Sequence, residues 1–178
     1  ENANNDFPTY MTLSELFDDL LSAYEGLIRA MQVERGLNNP VHIAVDEWNV
    51  WHRVQDGSVS EETIYNLEDA LVTAMHFNAF IRHAKSVKMA TIAQIVNLLA
   101  PIYTKPDGMF LQTIFYPFEL YSRFAGSTAL NVHWDGDTFS AGDYTGLRTL
   151  DVSATLSDDK RQLSVFVVNR SETDALET

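Results

Sequence analysis

The residues best suited to chemistry stand in the run Asp46-Glu47-Trp48-Asn49-Val50-Trp51. A mostly apolar, β-branched run, Val41 to Val45, comes directly before it and predicts a buried parallel strand. Glu47 would then lie at the carboxyl end of that strand, where β/α-barrel enzymes present catalytic groups to substrate. A carboxylate there can act as a nucleophile or as a general acid or base. The pattern equally fits a loop or helix-capping carboxylate, so position alone leaves both interpretations open.

The side chains that follow Glu47 favour a carbohydrate ligand. Trp51 offers a flat apolar face on which a sugar ring can stack, and the Asn49 amide can bind hydroxyl groups. Trp48 could do the same, but core packing is the interpretation we prefer for it. His52 could line such a site, although the pattern fits a solvent-facing loop histidine better. Trp51 is therefore the main stacking candidate.

The composition limits the classes of function. The chain has 178 residues, of which 46% are hydrophobic, enough for a core in one domain or in parts of two. Its formal charge of −13 disfavours binding to nucleic acids or anionic membranes. Without cysteine it has no disulfide, thiolate zinc site or cysteine nucleophile. The five histidines lack metal-site spacing, so we predict no metal. We also expect no cofactor.

Periodic segments around the candidate strand predict the elements that hold it. Apolar residues at three- and four-residue spacing from Leu13 predict an amphipathic helix that ends at Gly36. Thr12 and Glu15 have the spacing of a capping box at its start. A second helix is predicted to run to about His83, with Leu67, Leu71 and Ile81 on its apolar face and acidic Glu61, Glu62, Glu68 and Asp69 near its start.

A second strand is predicted from Val87 to Ile92, with polar Gln94 and Asn97 just beyond it. A further helix is predicted from Gln112 to Phe124, with Pro117 near its first turn or at a kink. Alternation of strand and helix indicates β-α units on a parallel sheet.

The texture of the sequence changes after Gly126. Short alternating segments separated by Gly, Asp and Ser predict antiparallel strands around residues 129–134, 147–154 and 162–168. The clearest hairpin joins its strands at Ser157-Asp158-Asp159-Lys160, and it indicates the start of a β-sandwich.

Several runs together resemble α-L-arabinofuranosidases of glycoside hydrolase family 51. The run from Asp46 to Trp51 is similar to the nucleophile motif of that family. Further runs agree in the same order: Tyr65 to Leu71, Val87 to Asn97, Ala100-Pro101-Ile102 and Gln112 to Phe118. The likeness covers Val41 to Arg170, and the motifs together are specific.

The resemblance implies a fold class and two domains. It implies an α/β fold in which residues 1–126 form the last part of a (β/α)8 TIM barrel, with its seventh and eighth strands and their helices. Residues 127–178 would begin an all-β sandwich domain.

The resemblance also implies roles for single residues. Glu47 is the expected nucleophile of a retaining mechanism, and Trp51 and Gln94 are expected to bind the terminal sugar. Asn49 is a further candidate for substrate binding, although Asn49 and Asn97 also fit a role in orienting the loops. The acid/base glutamate of the family follows an Asn at a strand end, and this chain has no such Asn-Glu pair. That residue is therefore expected outside this chain.

The resulting hypothesis is a retaining exo-α-L-arabinofuranosidase acting on hemicellulose or arabinan oligosaccharides. Alternatives are a related retaining endoglucanase or xylanase, or a catalytically incomplete carbohydrate-binding fragment. Expected partners are arabinose-containing oligosaccharides or polysaccharides, with neither nucleic acid nor membrane, and the full-length protein is expected to be a homo-oligomer. Both ends of the chain look cut from a longer protein, so the isolated chain is expected to be inactive. A cytoplasmic location is expected, with secretion as the alternative.

Overall fold

The computed structural model describes residues 5–52 and 64–176. Its helices are α1 (Phe7–Tyr10), α2 (Leu13–Arg35), α3 (Leu67–Arg82) and α4 (Phe115–Phe124). Its strands are β1 (Ile43–Trp48), β2 (Val87–Ile92), β3 (Ile102–Lys105), β4 (Gly108–Leu111), β5 (Thr128–Leu130), β6 (Thr138–Ala141), β7 (Tyr144–Arg148), β8 (Leu150–Leu156) and β9 (Leu163–Asn169).

Strands β1 and β2 pair in parallel, and α3 lies between them in the chain. This β-α-β unit confirms the predicted parallel arrangement, and β2 has the predicted bounds. Strand β1 begins at Ile43, two residues later than predicted. It also ends later than predicted, because it continues through Asp46 and Glu47 to Trp48. Apolar side chains hold the unit to the helices: Ile43 and Val45 pack with Leu21, Ala79 and Val87.

Helix α2 has the predicted extent, but its start differs from the prediction. Gly36 adopts the left-handed conformation (φ +60°), and the Leu37 amide donates to the Gln32 carbonyl at 2.9 Å, as in a Schellman motif. The predicted capping box is absent, because the Thr12 hydroxyl donates to the Thr9 carbonyl and makes no capping hydrogen bond to α2. The Glu15 carboxylate is engaged elsewhere, in an ion pair with Arg170.

Antiparallel strands follow α4, as predicted, but the predicted segment 147–154 is divided between β7 and β8. Strands β5, β8 and β9 form one sheet in the order β5-β8-β9, and β6 and β7 form a separate hairpin. The predicted turn at residues 157–160 joins β8 to β9, which pair from Leu156↔Leu163 to Leu150↔Asn169. Gly126 permits close approach of the chain to β8, since a Cβ there would overlap the Leu156 carbonyl. The hairpin of β3 and β4 was not predicted from the sequence.

The core lies between α3 and its neighbours. Val72 and Met75 of α3 pack with Tyr10, Val50 and Ile114, and Val168 of β9 reaches the same cluster. The core therefore ties the segment after β1 to the beginning of α4 and to the antiparallel sheet.

One stripe of α2 remains exposed. Its apolar residues recur every three or four positions and are between 41% exposed, for Leu13, and 61% exposed, for Leu27. The full set is Leu13, Leu16, Leu20, Tyr24, Leu27 and Met31. Only the neighbouring stripe with Phe17 and Leu21 packs against α3 and β1. The predicted amphipathic face is thus only half covered.

Within residues 5–52 and 64–176, no helix combines the length and apolar character needed to cross a bilayer. In the same ranges, no group of three or more His, Asp or Glu side chains is placed to hold a metal ion.

Candidate active site

A β-bulge lies at the carboxyl end of β1. Val45 pairs with Ala90 and Trp48 with Ile92, so β1 takes three steps where β2 takes two. The extra residue changes the alternation of side chains along the strand. Ile43, Val45 and Trp48 all pack towards the helices, whereas Asp46 and Glu47 are both exposed. The bulge therefore places two consecutive carboxylates on the open side of the strand.

Glu47 is exposed at the carboxyl end of a hydrogen-bonded strand. No hydrogen bond or ion pair links its carboxylate to another residue in the part of the chain that the structure describes. Its backbone is fixed on both sides, because Thr91 Oγ1 donates to the Asp46 carbonyl and the Ala93 amide donates to the Trp48 carbonyl at 3.1 Å. Glu47 combines a rigid backbone with an accessible carboxylate.

Trp48 points away from the strand end and into the core, as we preferred from the sequence. Its side chain is only 5% exposed. Its ring stacks on Phe118 at 5.7 Å between centroids and meets Phe80 edge to face at 5.1 Å. Trp48 therefore anchors the strand end on α3 and α4 and is not available to a sugar.

Asn49 ties the end of β1 to the loop after β2. Its amide nitrogen donates to the Ala93 carbonyl at 3.0 Å and to the Leu99 carbonyl. Its side-chain oxygen accepts from the Val50 amide at 2.8 Å. Both N–H groups of the Asn49 amide are thus occupied by backbone, which supports the role of orienting loops.

Trp51 is the exposed aromatic residue of this segment. Its side chain is 45% exposed, in contrast to Trp48. It lines a groove of about 220 Å³ with Asn49 and with Leu16 and Leu20 of α2. Its ring is therefore open to a ligand on the same side of α2 as the exposed stripe.

Gln94 and Asn97 follow β2. Gln94 is exposed, and the peptide bond that joins it to Ala93 is cis. Asn97 orders the loop with two hydrogen bonds. Its side-chain oxygen accepts from the Thr104 backbone amide at 2.8 Å, and its backbone amide donates to the Ile102 carbonyl at 2.8 Å. Asn97 therefore has the loop-orienting position expected for it, whereas the Gln94 side chain faces solvent in this structure.

His52 is not the solvent-facing loop histidine that the sequence favoured. Its side chain is 14% exposed, and its Nε2 lies 2.9 Å from Oδ1 of Asp69. Its ring also meets the Tyr65 ring edge to face at 5.6 Å. The prediction failed because Asp69 lies 17 positions further along the chain, on α3.

Asp69 is buried and accepts hydrogen bonds from three residues. The Tyr10 hydroxyl donates to it at 2.6 Å, and the Asn66 amide donates to its other oxygen at 2.7 Å. Burial by itself would raise the pKa of Asp69, but the hydrogen bonds from His52, Tyr10 and Asn66 outweigh it, and the pKa is lowered. Burial and the bond to Asp69 raise the pKa of Tyr10. Asp69 therefore carries a charge that its partners stabilise.

Comparison with known proteins identifies relatives of the chain. The model of the α-L-arabinofuranosidase C-terminal domain matches residues 46–177. The probable α-L-arabinofuranosidase C of Aspergillus clavatus is 39% identical over 163 residues, which cover 85% of this chain and 32% of that protein. The intracellular exo-α-(1→5)-L-arabinofuranosidase of Halalkalibacterium halodurans is 28% identical over 186 residues, which cover 98% of this chain and 37% of that protein.

A solved structure has the same fold. The thermostable GH51 α-L-arabinofuranosidase from Thermotoga petrophila RKU-1 superposes with a TM-score of 0.81 at 28% identity, covering 93% of this chain and 36% of that one. The matching proteins are glycoside hydrolases, the class that the strand-end glutamate and Trp51 favour. The chain belongs to the α-L-arabinofuranosidases of glycoside hydrolase family 51. It spans about a third of the length of the curated relatives it matches.

Proposed function

We propose that this chain supplies the nucleophile half of the active site of a retaining exo-α-L-arabinofuranosidase. The enzyme releases terminal arabinofuranosyl groups from hemicellulose or arabinan oligosaccharides. The observation that carries the proposal is the bulge at the end of β1, because it leaves Glu47 accessible on a fixed backbone while Trp48 stays in the core. A nucleophile needs this combination of rigidity and access.

The reaction proceeds by two displacements at the anomeric carbon. In the first, a Glu47 oxygen bonds to that carbon, the glycosidic C–O bond breaks, and a carboxylic acid about 5 Å away protonates the leaving oxygen. In the second, the same acid residue, now a carboxylate, takes a proton from water, whose oxygen displaces Glu47. The configuration is retained because the carbon is inverted twice. The acid/base residue comes from a part of the enzyme outside this chain.

Three further side chains bind the sugar in this proposal. Trp51 offers its exposed ring for stacking, and its position four residues after Glu47 in the motif supports that role. Gln94 follows β2, the parallel neighbour of β1, and its exposed amide can both donate to and accept from hydroxyls. Asn49 is the third candidate, and its remaining acceptor capacity lies on its side-chain oxygen.

We assign residues 1–126 to the last part of a (β/α)8 barrel and residues 127–178 to the beginning of a β-sandwich. The parallel β1–β2 pair with α3 supports the first assignment, and the antiparallel β5-β8-β9 sheet supports the second. The part of the α2 stripe beyond the Trp51 groove, Tyr24, Leu27 and Met31, is explained if other barrel elements cover it in the complete enzyme.

The proposal also covers the substrates, the oligomeric state and the location of the complete enzyme. Its partners are arabinose-containing oligosaccharides or polysaccharides, and the complete protein is a homo-oligomer. A cytoplasmic location is supported by the H. halodurans relative, which is described as intracellular.

The test is Glu47→Ala in the complete enzyme, assayed with an aryl α-L-arabinofuranoside. We expect kcat to fall by roughly 10⁴- to 10⁶-fold, as for loss of other enzymic nucleophiles. Azide, a small external nucleophile, should restore turnover in the variant and give an arabinofuranosyl azide of inverted configuration. Glu119→Ala, which removes an exposed glutamate on α4, is the matched control and should leave kcat within about twofold.

Three results would contradict the proposal. Near-normal activity of Glu47→Ala would remove Glu47 from the mechanism. Hydrolysis of cellulose or xylan in preference to the arabinofuranoside would point to a related retaining endoglucanase or xylanase. Absence of any turnover by the complete wild-type protein would point to a carbohydrate-binding role.

A further inference from the structure

The segment that carries Trp51 is held from the core side on both flanks. Before Trp51, the Val50 carbonyl accepts a hydrogen bond from the Tyr65 hydroxyl at 2.9 Å. After Trp51, Nε2 of His52 is hydrogen-bonded to Oδ1 of Asp69 at 2.9 Å. Trp51 lies between these two attachments and exposes 45% of its side chain.

Tyr65 is itself fixed. It is only 4% exposed, and its backbone amide donates to the Gln112 side chain at 2.9 Å. Gln112 in turn donates to the Ala100 carbonyl at 2.8 Å. The Tyr65 hydroxyl is therefore placed by the loops on both sides of the β3–β4 hairpin.

Asp69 is equally fixed. It is 1% exposed at the start of α3, and a capping box with Asn66 holds its carboxylate in place. The carboxylate oxygen that does not bond Asn66 accepts hydrogen bonds from the Tyr10 hydroxyl and from the His52 ring. Because this charge is satisfied by its neighbours, its role is to hold His52 and not to react.

We propose that Tyr65 and His52 are positioning residues that set the orientation of the Trp51 ring and thereby the affinity of the site for its sugar. The inference rests on the proposed function, since it takes Trp51 to be the stacking residue. Neither residue has to touch the substrate. A stacking ring already held in its bound orientation loses less conformational entropy when the ligand arrives.

The first test is Tyr65→Phe in the complete enzyme, which removes the bond to the Val50 carbonyl and keeps the ring. We expect KM to rise about three- to tenfold with kcat changed less than about twofold, as for a loss of uniform binding. Tyr121→Phe is the matched control, because that hydroxyl is also buried and also donates to a backbone carbonyl, of Ala74 at 3.0 Å. The control should lower the melting temperature and leave KM unchanged.

A double-mutant cycle tests whether Tyr65 acts through Trp51. In a Trp51→Ala background, Tyr65→Phe should change KM by less than about twofold, because the ring it orients is gone. The same effect of Tyr65→Phe in both backgrounds would overturn the proposal. An unchanged KM for Tyr65→Phe in the wild-type background would overturn it as well.

His52 gives a second, independent variant if Tyr65→Phe does not fold. His52→Ala should raise KM, and His52→Gln should restore it in large part, since the Gln amide can reach Asp69 from a similar position. Equal KM values for His52→Ala and the wild type would overturn the role of His52. Failure of this inference is distinguishable from failure of the proposed function. A normal KM for Trp51→Ala rejects Trp51 as a sugar contact and the inference with it, whereas only Glu47→Ala tests the nucleophile.

Discussion

Two strands of this protein each carry a carboxylate, and the surroundings of the two carboxylates are opposite. Glu47 at the end of β1 is exposed and has no hydrogen-bond or ion-pair partner among the described residues. Asp151 on β8 is 2% exposed and lies 3.1 Å from the Arg82 guanidinium. The strand backbone fixes both residues, so the two carboxylates differ in what surrounds the side chain.

Asp151 belongs to a polar cluster between α2, α3 and β8. We call it the polar seam, and it consists of Asp18, Asn78, Arg82, Asp151 and Ser153. The Arg82 guanidinium lies 2.8 Å from the Asp18 carboxylate and 3.1 Å from the Asp151 carboxylate. The Asn78 side-chain amide donates to the Asp151 carboxylate. The Asn78 oxygen accepts from Ser153 and from the Tyr121 hydroxyl, each at 2.6 Å. The seam satisfies its buried charges and attaches the antiparallel sheet to α3.

The two surroundings suit two different uses of the same functional group. Removing a buried carboxylate whose oxygens are occupied leaves its partners unpaired and destabilises the fold. An exposed carboxylate on a fixed backbone contributes little to stability and is free to react. The contrast predicts that stability and activity respond to substitutions in different regions of the molecule.

Asp151→Ala should have the largest effect on stability. It leaves the partly buried Arg82 with Asp18 and the Val152 carbonyl, and it removes the carboxylate partner of the Asn78 amide. We expect the free energy of unfolding to fall by about 3 to 5 kcal/mol. Urea unfolding of the complete enzyme, followed by circular dichroism, measures the change. Glu47→Ala should shift the same curve by less than about 0.5 kcal/mol, and equal shifts for the two variants would break the comparison.

Asn78→Ala should have an intermediate effect. It removes the acceptor for Ser153 and one of the two acceptors of the Tyr121 hydroxyl, and both hydroxyls are buried. We expect a loss of about 1 to 3 kcal/mol in the free energy of unfolding, with KM for the arabinofuranoside unchanged. Asn49→Ala sharpens the contrast. The Asn49 side chain also donates a hydrogen bond to a backbone carbonyl, but it lies beside Trp51. Its loss should therefore lower the free energy of unfolding and also raise KM. A rise in KM for Asn78→Ala would contradict the separation.

The predictable parts of this fold are those governed by local rules. The bounds of β2, the glycine end of α2 and the β8–β9 turn were all predicted, because each depends on residues within a few positions. The capping box was wrong because Glu15 pairs with Arg170, which lies 155 positions away.

The candidate site was predictable by residue type but not by geometry. Glu47 was singled out because a polar pair interrupts an apolar run. The bulge that exposes it appears only in the pairing of β1 with β2, which no local pattern encodes. The attachment of His52 to Asp69 was missed for the same reason, since the two residues meet only when α3 packs beside the strand end.

The smallest predicted effect is the pH dependence of His83, which lies beside the polar seam. His83 faces two carboxylates of α2: its Nδ1 is 3.0 Å from Glu25, and its Nε2 is 3.5 Å from Asp18. The hydrogen bond to Asp18 raises the pKa of His83, burial opposes the shift, and Glu25 adds to the rise. Its contribution to stability is therefore complete below the ordinary pKa of 6.5 and is lost as pH rises through the raised value.

Asp18 limits the same interaction at low pH. Burial would raise its pKa, but hydrogen bonds and charges from His83 and Arg82 outweigh burial and lower it. Its contribution is present above the ordinary pKa of 3.8 and is lost as pH falls through the lowered value. The attraction between α2 and the end of α3 should therefore be greatest between pH 3.8 and 6.5.

His83→Gln tests this pH dependence. Because both carboxylates are partly exposed, the substitution should cost about 0.5 to 1 kcal/mol at pH 6 and nearly nothing at pH 9, measured as the free energy of unfolding. His133→Gln, at an exposed histidine, is the control and should leave the difference between the two pH values as in the wild type. A pH-independent cost of His83→Gln would mean that the His83 side chain supports the end of α3 by packing and hydrogen bonding alone, without its charge.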